Sequence, residues 1–188
     1  MKKSLVLAVT CLLLLLFPVG WLLAQRRSST YAKGQVEFIS EAPHETIHAR
    51  SKNLKGVVDW DKGTFLFTID VKSFTGFNTP VQREHFNENY MESDLYPTAS
   101  FQGKIIEVVN LDKHQSITVR AKGKMKIHGI ERELIVPLNL KIKSGEVMVN
   151  ARFSVALDDY NIKIPRIVSE KLSPNIDIIV ATSLSEMK

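Results

Sequence analysis

The chain has 188 residues, 44% of them aliphatic, aromatic or sulfur-bearing and 24% charged, with 9 Gly and 7 Pro. That leaves room for one domain and a leader, and the composition excludes disorder, collagen and low-complexity arrays. The formal charge of +5 falls to +3 once Lys2 and Lys3 are assigned to the leader; with no clustered basic footprint, a nucleic-acid partner is not expected.

Lys2 and Lys3 precede an apolar run from Leu5 to Phe17, Pro18 and Gly20 break it, and Leu22-Leu23-Ala24 places a small residue before Gln25. This is the order of a secretory signal peptide over residues 1–24. The alternative is an uncleaved N-terminal anchor, because Leu5 to Leu23 is long enough to span a bilayer. Cys11 is the one cysteine, and Ala8-Val9-Thr10 before it makes a poor lipobox. The domain therefore stands on packing without disulfides and is expected to be periplasmic or secreted, or membrane-anchored if the leader is retained. Residues 25–32 read as a short polar lead-in and 33–188 as the domain.

From there the hydrophobic period is two. Candidate strands run over Gln35 to Ser40, Glu45 to Ser51, Leu54 to Trp60 and Thr64 to Val71, the last placing Phe65, Phe67, Ile69 and Val71 on one face. A structured loop spans Phe74 to Leu95. Within it Thr79-Pro80-Val81-Gln82 fits a capping box, and a short helix runs on to Tyr90 with Val81, Phe86 and Tyr90 on one side. Tyr96-Pro97 forces extended backbone into a strand over Ser100 to Val109.

Gln115 to His128 is the clearest segment: Ile117, Val119, Ala121, Gly123, Met125 and Ile127 alternate with Thr118, Arg120, Lys122, Lys124, Lys126 and His128. The rhythm recurs through Leu134, Val136, Leu138, Leu140 and Ile142, then Val147, Val149, Ala151, Phe153 and Val155. Ala156 to Pro174 is a second long connection, whose Ile162, Ile164, Ile167, Val168 and Leu172 are too apolar for a free linker and should pack across one end. Ile176, Ile178, Val180, Thr182 and Leu184 finish the chain.

Short turns at Asp61-Lys62-Gly63, His128-Gly129 and Ser144-Gly145 join successive strands, so the pattern is an antiparallel meander of eight or nine strands. Twelve residues from Ile117 to His128 span roughly 40 Å. A closed up-and-down barrel uses strands of that length and hides every edge, while a solid β-sandwich shows the same alternation.

Chemistry is hard to find. No GxSxG elbow, Walker loop or dinucleotide fingerprint occurs, and the domain has no thiol. His44 and His48 lack a third ligand, so no metal is expected. Asp59/Asp61, Glu131/Glu133 and Asp158/Asp159 read as solvated pairs, and the stripe Arg120, Lys122, Lys124, Lys126 as the wet side of a strand. With no catalytic residue legible, the chain is not expected to be an enzyme.

The lumen remains. Ala121, Gly123 and Ala151 are small for a solid core, and Phe65, Phe67, Phe101, Met125 and Phe153 would line a slender tube with carbon and sulfur. Ile69, Ile117, Val119, Leu134, Val136, Leu138, Val149 and Ile178 complete the inward face. On pattern alone the small residues equally well accommodate their phenylalanine neighbours in a solid core, which would make the chain a β interaction module for a membrane-associated partner.

Arg83-Glu84-His85-Phe86, then Asp94-Leu95-Tyr96-Pro97-Thr98-Ala99-Ser100-Phe101, then Gly123 to Ile130 leading into Val136-Pro137-Leu138, together resemble the YceI-like family of exported lipid-binding proteins, over about Lys33 to Leu184. The resemblance implies an all-β, extended, lipocalin-like antiparallel barrel holding a polyisoprenoid or isoprenoid quinone in its lumen. No cofactor is implied beyond that ligand, nor any catalysis; peripheral membrane contact is compatible with it. The motif residues Arg83, His85, Phe86, Tyr96, Pro97, Phe101 and His128 carry over, and the helical loop, with Phe77, Arg83, His85, Phe86, Tyr90 and Tyr96, becomes the expected mouth. Ala42 to His48 departs from the family pattern by replacing a longer loop and helix after the first strand.

Overall fold

In the computed structural model, residues 29–113, 115–143 and 146–186 are described. Eight strands form a closed antiparallel barrel in sequence order: β1 (Ser29–Glu41), β2 (Thr46–Asp59), β3 (Thr64–Asp70), β4 (Thr98–Ile105), β5 (Gln115–Ile127), β6 (Ile130–Lys143), β7 (Glu146–Ala156) and β8 (Asn175–Glu186), with β8 paired back onto β1. The leader and the Ser144-Gly145 turn lie outside the described residues. β1 begins at Ser29, inside the segment read as lead-in, because its first residues have β2 on one side and β8 on the other.

The two strands expected over 45–60 are one. Between β1 and β2 the register shifts: Val36 faces Ser51 and Gly34 faces Leu54, so β2 spends three steps where β1 spends two. The extra residue is a β-bulge, which leaves Lys52 and Asn53 both exposed and reverses the in–out phase without ending the strand. That phase reversal is what the alternation reports as a break.

The barrel's two ends differ. At the end holding the β2–β3 and β4–β5 connections β5 runs on past its last β4 partner, Ala121 with Ile105, and a cluster of Ala32, Val58, Val119, Leu140, Ile142, Val147 and Leu184 occupies the interior, with Val109 and Leu111 of the 106–114 connection packed against it. At the other end two seams part. β2 pairs with β3 only over Lys55–Asp59, and β6 pairs with β7 only from Leu138 onward. Pro137, which has no N–H to give a ladder, is the last residue before β6 acquires that neighbour.

The long connections close these seams. Residues 71–97 return along β2 through the Arg50–Thr75 bridge and bury Val71 and Phe74; residues 157–174 bury Tyr160 and Ile162 beside β6 and β7. Apolar area left open by the splayed strands is thereby covered by loops, and Arg50 and Thr75 exchange both backbone hydrogen bonds at the β2 edge.

Candidate functional site: a carbon-lined cavity

Inside the splayed half lies a cavity of about 370 Å³, walled by inward side chains of all the strands and roofed by the 71–97 and 157–174 connections. From β3, Phe65, Phe67 and Ile69 line it, and Phe101 from β4, with the Phe65 and Phe101 rings 4.9 Å apart. Ala121 and Met125 of β5, Val136 and Leu138 of β6, Val149, Ala151 and Phe153 of β7 and Ile178 of β8 complete the predicted part of the wall.

Three predicted lumen residues are elsewhere. Ile117 and Val119 belong to the solid cluster, because the 106–114 connection fills the barrel at their level. Leu134 packs against the group containing Tyr160 and Ile162, which take its place on the wall where β6 stands away from β7. Gly123 does not make lumen either. A Cβ there would stand 2.2 Å from the Gln102 carbonyl oxygen, and one on its partner Gly103 2.1 Å from that of Lys122; the two glycines let β4 and β5 approach closely.

The mouth is an aromatic collar. Phe38 of β1 stacks on Phe86 at 5.3 Å and meets Phe74 at 5.4 Å and Phe77 at 5.9 Å, pairs that contribute about 0.5–1.5 kcal/mol each. Helix α1 (Pro80–His85) is started as the sequence predicts: Thr79 Oγ1 accepts from the Gln82 N–H at 3.1 Å. Gln82 then accepts from Asn78 N–H rather than from Thr79 N–H.

A π-helical turn over Phe86–Tyr90 follows, and Gln82, His85, Phe86 and Tyr90 face the cavity. Val81, predicted on that side, is exposed, since five residues separate it from Phe86 and this is about 140° around a helix.

Two expected mouth residues brace the structure instead. Arg83 Nη2 donates to the Lys72 carbonyl at 3.2 Å, away from the cavity. Tyr96 lies edge-on to His128, ring centres 4.7 Å apart, and over Gly129, whose added Cβ would sit 2.6 Å from its ring. His128 and Gly129 have φ of 49° and 75°, the pair of positive values a two-residue hairpin turn demands. His128 also contacts the Tyr160 carbonyl through Nδ1 at 3.0 Å and the Glu92 carboxylate through Nε2 at 2.6 Å. The His-Gly and Tyr-Pro motifs thus form one clamp joining the bases of both long connections.

Residues the sequence left unassigned also line the cavity: Phe38, Leu54, Phe74, Tyr160, Val168 and Leu172. Phe38 and Leu54 sit on strand faces whose phase the bulge obscures; the rest lie on connections, where no periodicity marks an inward side. Polar groups concentrate at the rim, where Gln82 Nε2 donates to Glu45 at 2.5 Å and Asn78 Nδ2 to the same oxygen at 3.3 Å, with His85 and Lys171 nearby on the wall.

Burial pushes the Tyr160 phenol up to about 12 and that of Tyr90 upward as well; among the described residues the Tyr160 hydroxyl has no hydrogen-bond partner. The shifted carboxylates are all outside. Lys62 holds Asp59 below its ordinary value, Arg120 holds Glu107, and Arg152 with Ser154 holds Asp177. His44 pairs with Glu170 at 2.7 Å and His48 with Glu37 at 3.2 Å, and among the described residues no three His, Cys, Asp or Glu side chains converge.

Known proteins supply the comparison. A polyisoprenoid binding domain from Saccharophagus degradans, implicated in plant cell wall breakdown, superposes with a TM-score of 0.71 at 16% identity, over 85% of this chain and 99% of that one. Burkholderia cenocepacia BcnA gives 0.69 at 16% identity over 81% and 96%, and the Campylobacter jejuni YCEI protein 0.57 at 15% over 74% and 84%. Among curated protein sequences none matches. The YceI-like domain matches residues 28–184, and the chain belongs to that family.

Proposed function

We propose that this protein is an exported, non-enzymatic carrier that sequesters one long apolar lipid of isoprenoid type, a polyisoprenoid or an isoprenoid quinone, in the barrel lumen. The carrying observation is the wall: below the rim it offers carbon, a thioether and a few hydroxyls, so an apolar chain is favoured and an ionic ligand is left undissolved. Transfer of such a chain from water gains about 25 cal/mol per Å² of apolar surface, less the cost of immobilising it. The S. degradans relative, itself a polyisoprenoid binding domain, points the same way.

The titratable side chains on the wall are Glu45, His85, Tyr90, Tyr160 and Lys171, and Glu45 is already engaged by Gln82 and Asn78, which suits holding better than turning over. Export rests on the order of charge, apolar run and breaker before Gln25. Organic extraction of the purified exported protein with mass spectrometry of the extract tests the ligand, and intact mass tests the leader. Recovery of a prenyl lipid at near one per chain is expected; protein that takes up none after exposure to several prenyl lipids would overturn the assignment.

A further inference from the structure

One lip of the mouth is built unlike the rest of the surface. Residues 163–171 read Lys-Ile-Pro-Arg-Ile-Val-Ser-Glu-Lys, and a 3-10 turn over Arg166–Val168 rotates successive residues by about 120° onto different sides. Val168 lines the cavity, while Ile167 is 91% exposed.

The turn is held firmly. Val168 N–H donates to Pro165 at 3.0 Å, Ser169 Oγ to the Arg166 carbonyl at 2.8 Å, and Lys171 and Leu172 N–H both to Val168. The lip is tied to the barrel by His44 N–H on the Glu170 carbonyl and Ser173 N–H on Ser40 Oγ.

Charge sets it apart further. On the barrel wall Arg120, Lys122, Lys124 and Arg152 each have a carboxylate partner, while Lys55, Lys104, Lys126, Lys141 and Lys143 are scattered along strands; at the lip three cations fall within nine residues beside an exposed isoleucine. Lys163, Arg166 and Lys171 have no side-chain partner among the described residues, and the one carboxylate of the segment, Glu170, is taken by His44. Asp158 and Asp159 lie at the foot of the connection, where its first turn packs on β6. The opposite lip, α1 and its π turn, exposes Glu84 and Glu88 against the single cation Arg83, whose guanidinium donates to the Lys72 carbonyl.

We propose that the 163–171 lip docks on an anionic bilayer, with Ile167 entering the headgroup layer and Lys163, Arg166 and Lys171 meeting lipid phosphates, the protein tilting away from its acidic lip. The site rests on the lipid-carrier reading. A ligand of that kind resides in membranes, and docking here brings Val168, Leu172 and the mouth beside the acyl chains without exposing the ligand to water. Each cation near an anionic surface strengthens binding about fivefold, so removing all three is expected to weaken it on the order of 100-fold.

The test uses the protein as exported, its N-terminus read by intact mass, with Ile167→Trp in one variant and Val108→Trp in another. Val108 is 99% exposed at the opposite end. Each is mixed with phosphatidylcholine vesicles containing phosphatidylglycerol or lacking it, with brominated lipid as quencher, and read against the wild-type chain. Docking predicts a blue shift and bromine quenching at 167 but not at 108. It predicts dependence on phosphatidylglycerol, and loss in the added triple variant Lys163→Gln, Arg166→Gln, Lys171→Gln, whose far-UV spectrum reports folding.

Quenching at neither position, at 108 alone, or equally in the triple variant overturns the proposal. If prenyl lipid is still extracted from such a protein, the docking site alone has failed. If 167 is quenched yet no prenyl lipid is ever bound, the carrier reading has failed and the lip stands as a membrane contact.

Discussion

Ala151→Phe asks directly whether the lumen is hollow. Ala151 faces Leu138 across the β6–β7 ladder and Val180 across β7–β8, and all three side chains line the cavity, so a benzyl group at 151 is directed into open space at mid-height. In a void it gains part of the ~1.5–3 kcal/mol available to a buried phenylalanine. In a solid interior the same change overpacks and costs about 1–3 kcal/mol. For a domain of this size 1 kcal/mol moves Tm by roughly 2–4 °C, so the alternatives fall on opposite sides of the wild type. Delipidated wild type and variant are compared by scanning calorimetry, then by uptake of a prenyl lipid from detergent. A Tm equal to or above wild type with uptake lost is expected. A Tm several degrees lower with uptake unchanged refutes the claim that this space holds the ligand.

Tyr160→Phe should change the response to alkali. The phenol ionises near 10 in the unfolded chain and is pushed up to about 12 in the fold, so its contribution to stability is intact below pH 10 and declines between about 10 and 12, a loss that urea denaturation should show in wild type and not in the variant. Gly123→Ala forces its Cβ against the Gln102 carbonyl and is expected to destabilise by about 1–3 kcal/mol through parting of β4 and β5, read as a lower Tm; an unchanged Tm would show that the strands yield freely. Thr79→Ala removes the cap of α1, worth ~1 kcal/mol, and should speed amide exchange across residues 80–90 while global Tm barely moves.

What the sequence shows of this fold follows from period. Where one face is dry and the other wet, as in β5 from Val119 to Met125, alternation names the inward residues outright. It fails at the bulge, where Lys52 and Asn53 are both outside and β2 looks like two strands. It says which side chains point inward but not how deep they sit, so Val119, in the solid end, and Ala121, on the cavity wall, look alike.

Depth depends on which loop fills which end, and that is settled by contacts distant in sequence, such as Val109 and Leu111 packed against the cluster of Val58, Val119, Leu140 and Leu184. The motif residues were legible as a group, yet their division into wall and brace was not. His85 reaches the cavity while Arg83, two residues earlier, turns back to Lys72, a difference of rotation about one helix.

The unequal ends also bear on how a ligand enters. Opening a ladder of the solid end would expose a row of backbone donors and acceptors together with the packed cluster behind them. The splayed end needs no such rupture, because its seams are already shut by side chains and a few loop hydrogen bonds: Arg50 with Thr75, His44 with Glu170, Ser173 with Ser40. The bases of both connections are clamped together through His128, which touches Glu92 on one and Tyr160 on the other. The tips of the two lips are held mainly by side chains: Phe77 and Phe86 pack on Phe38 of β1, and Val168 and Leu172 line the cavity. On the carrier reading, a chain molecule passing between those tips would exchange one set of apolar contacts for another, leaving the barrel ladders intact.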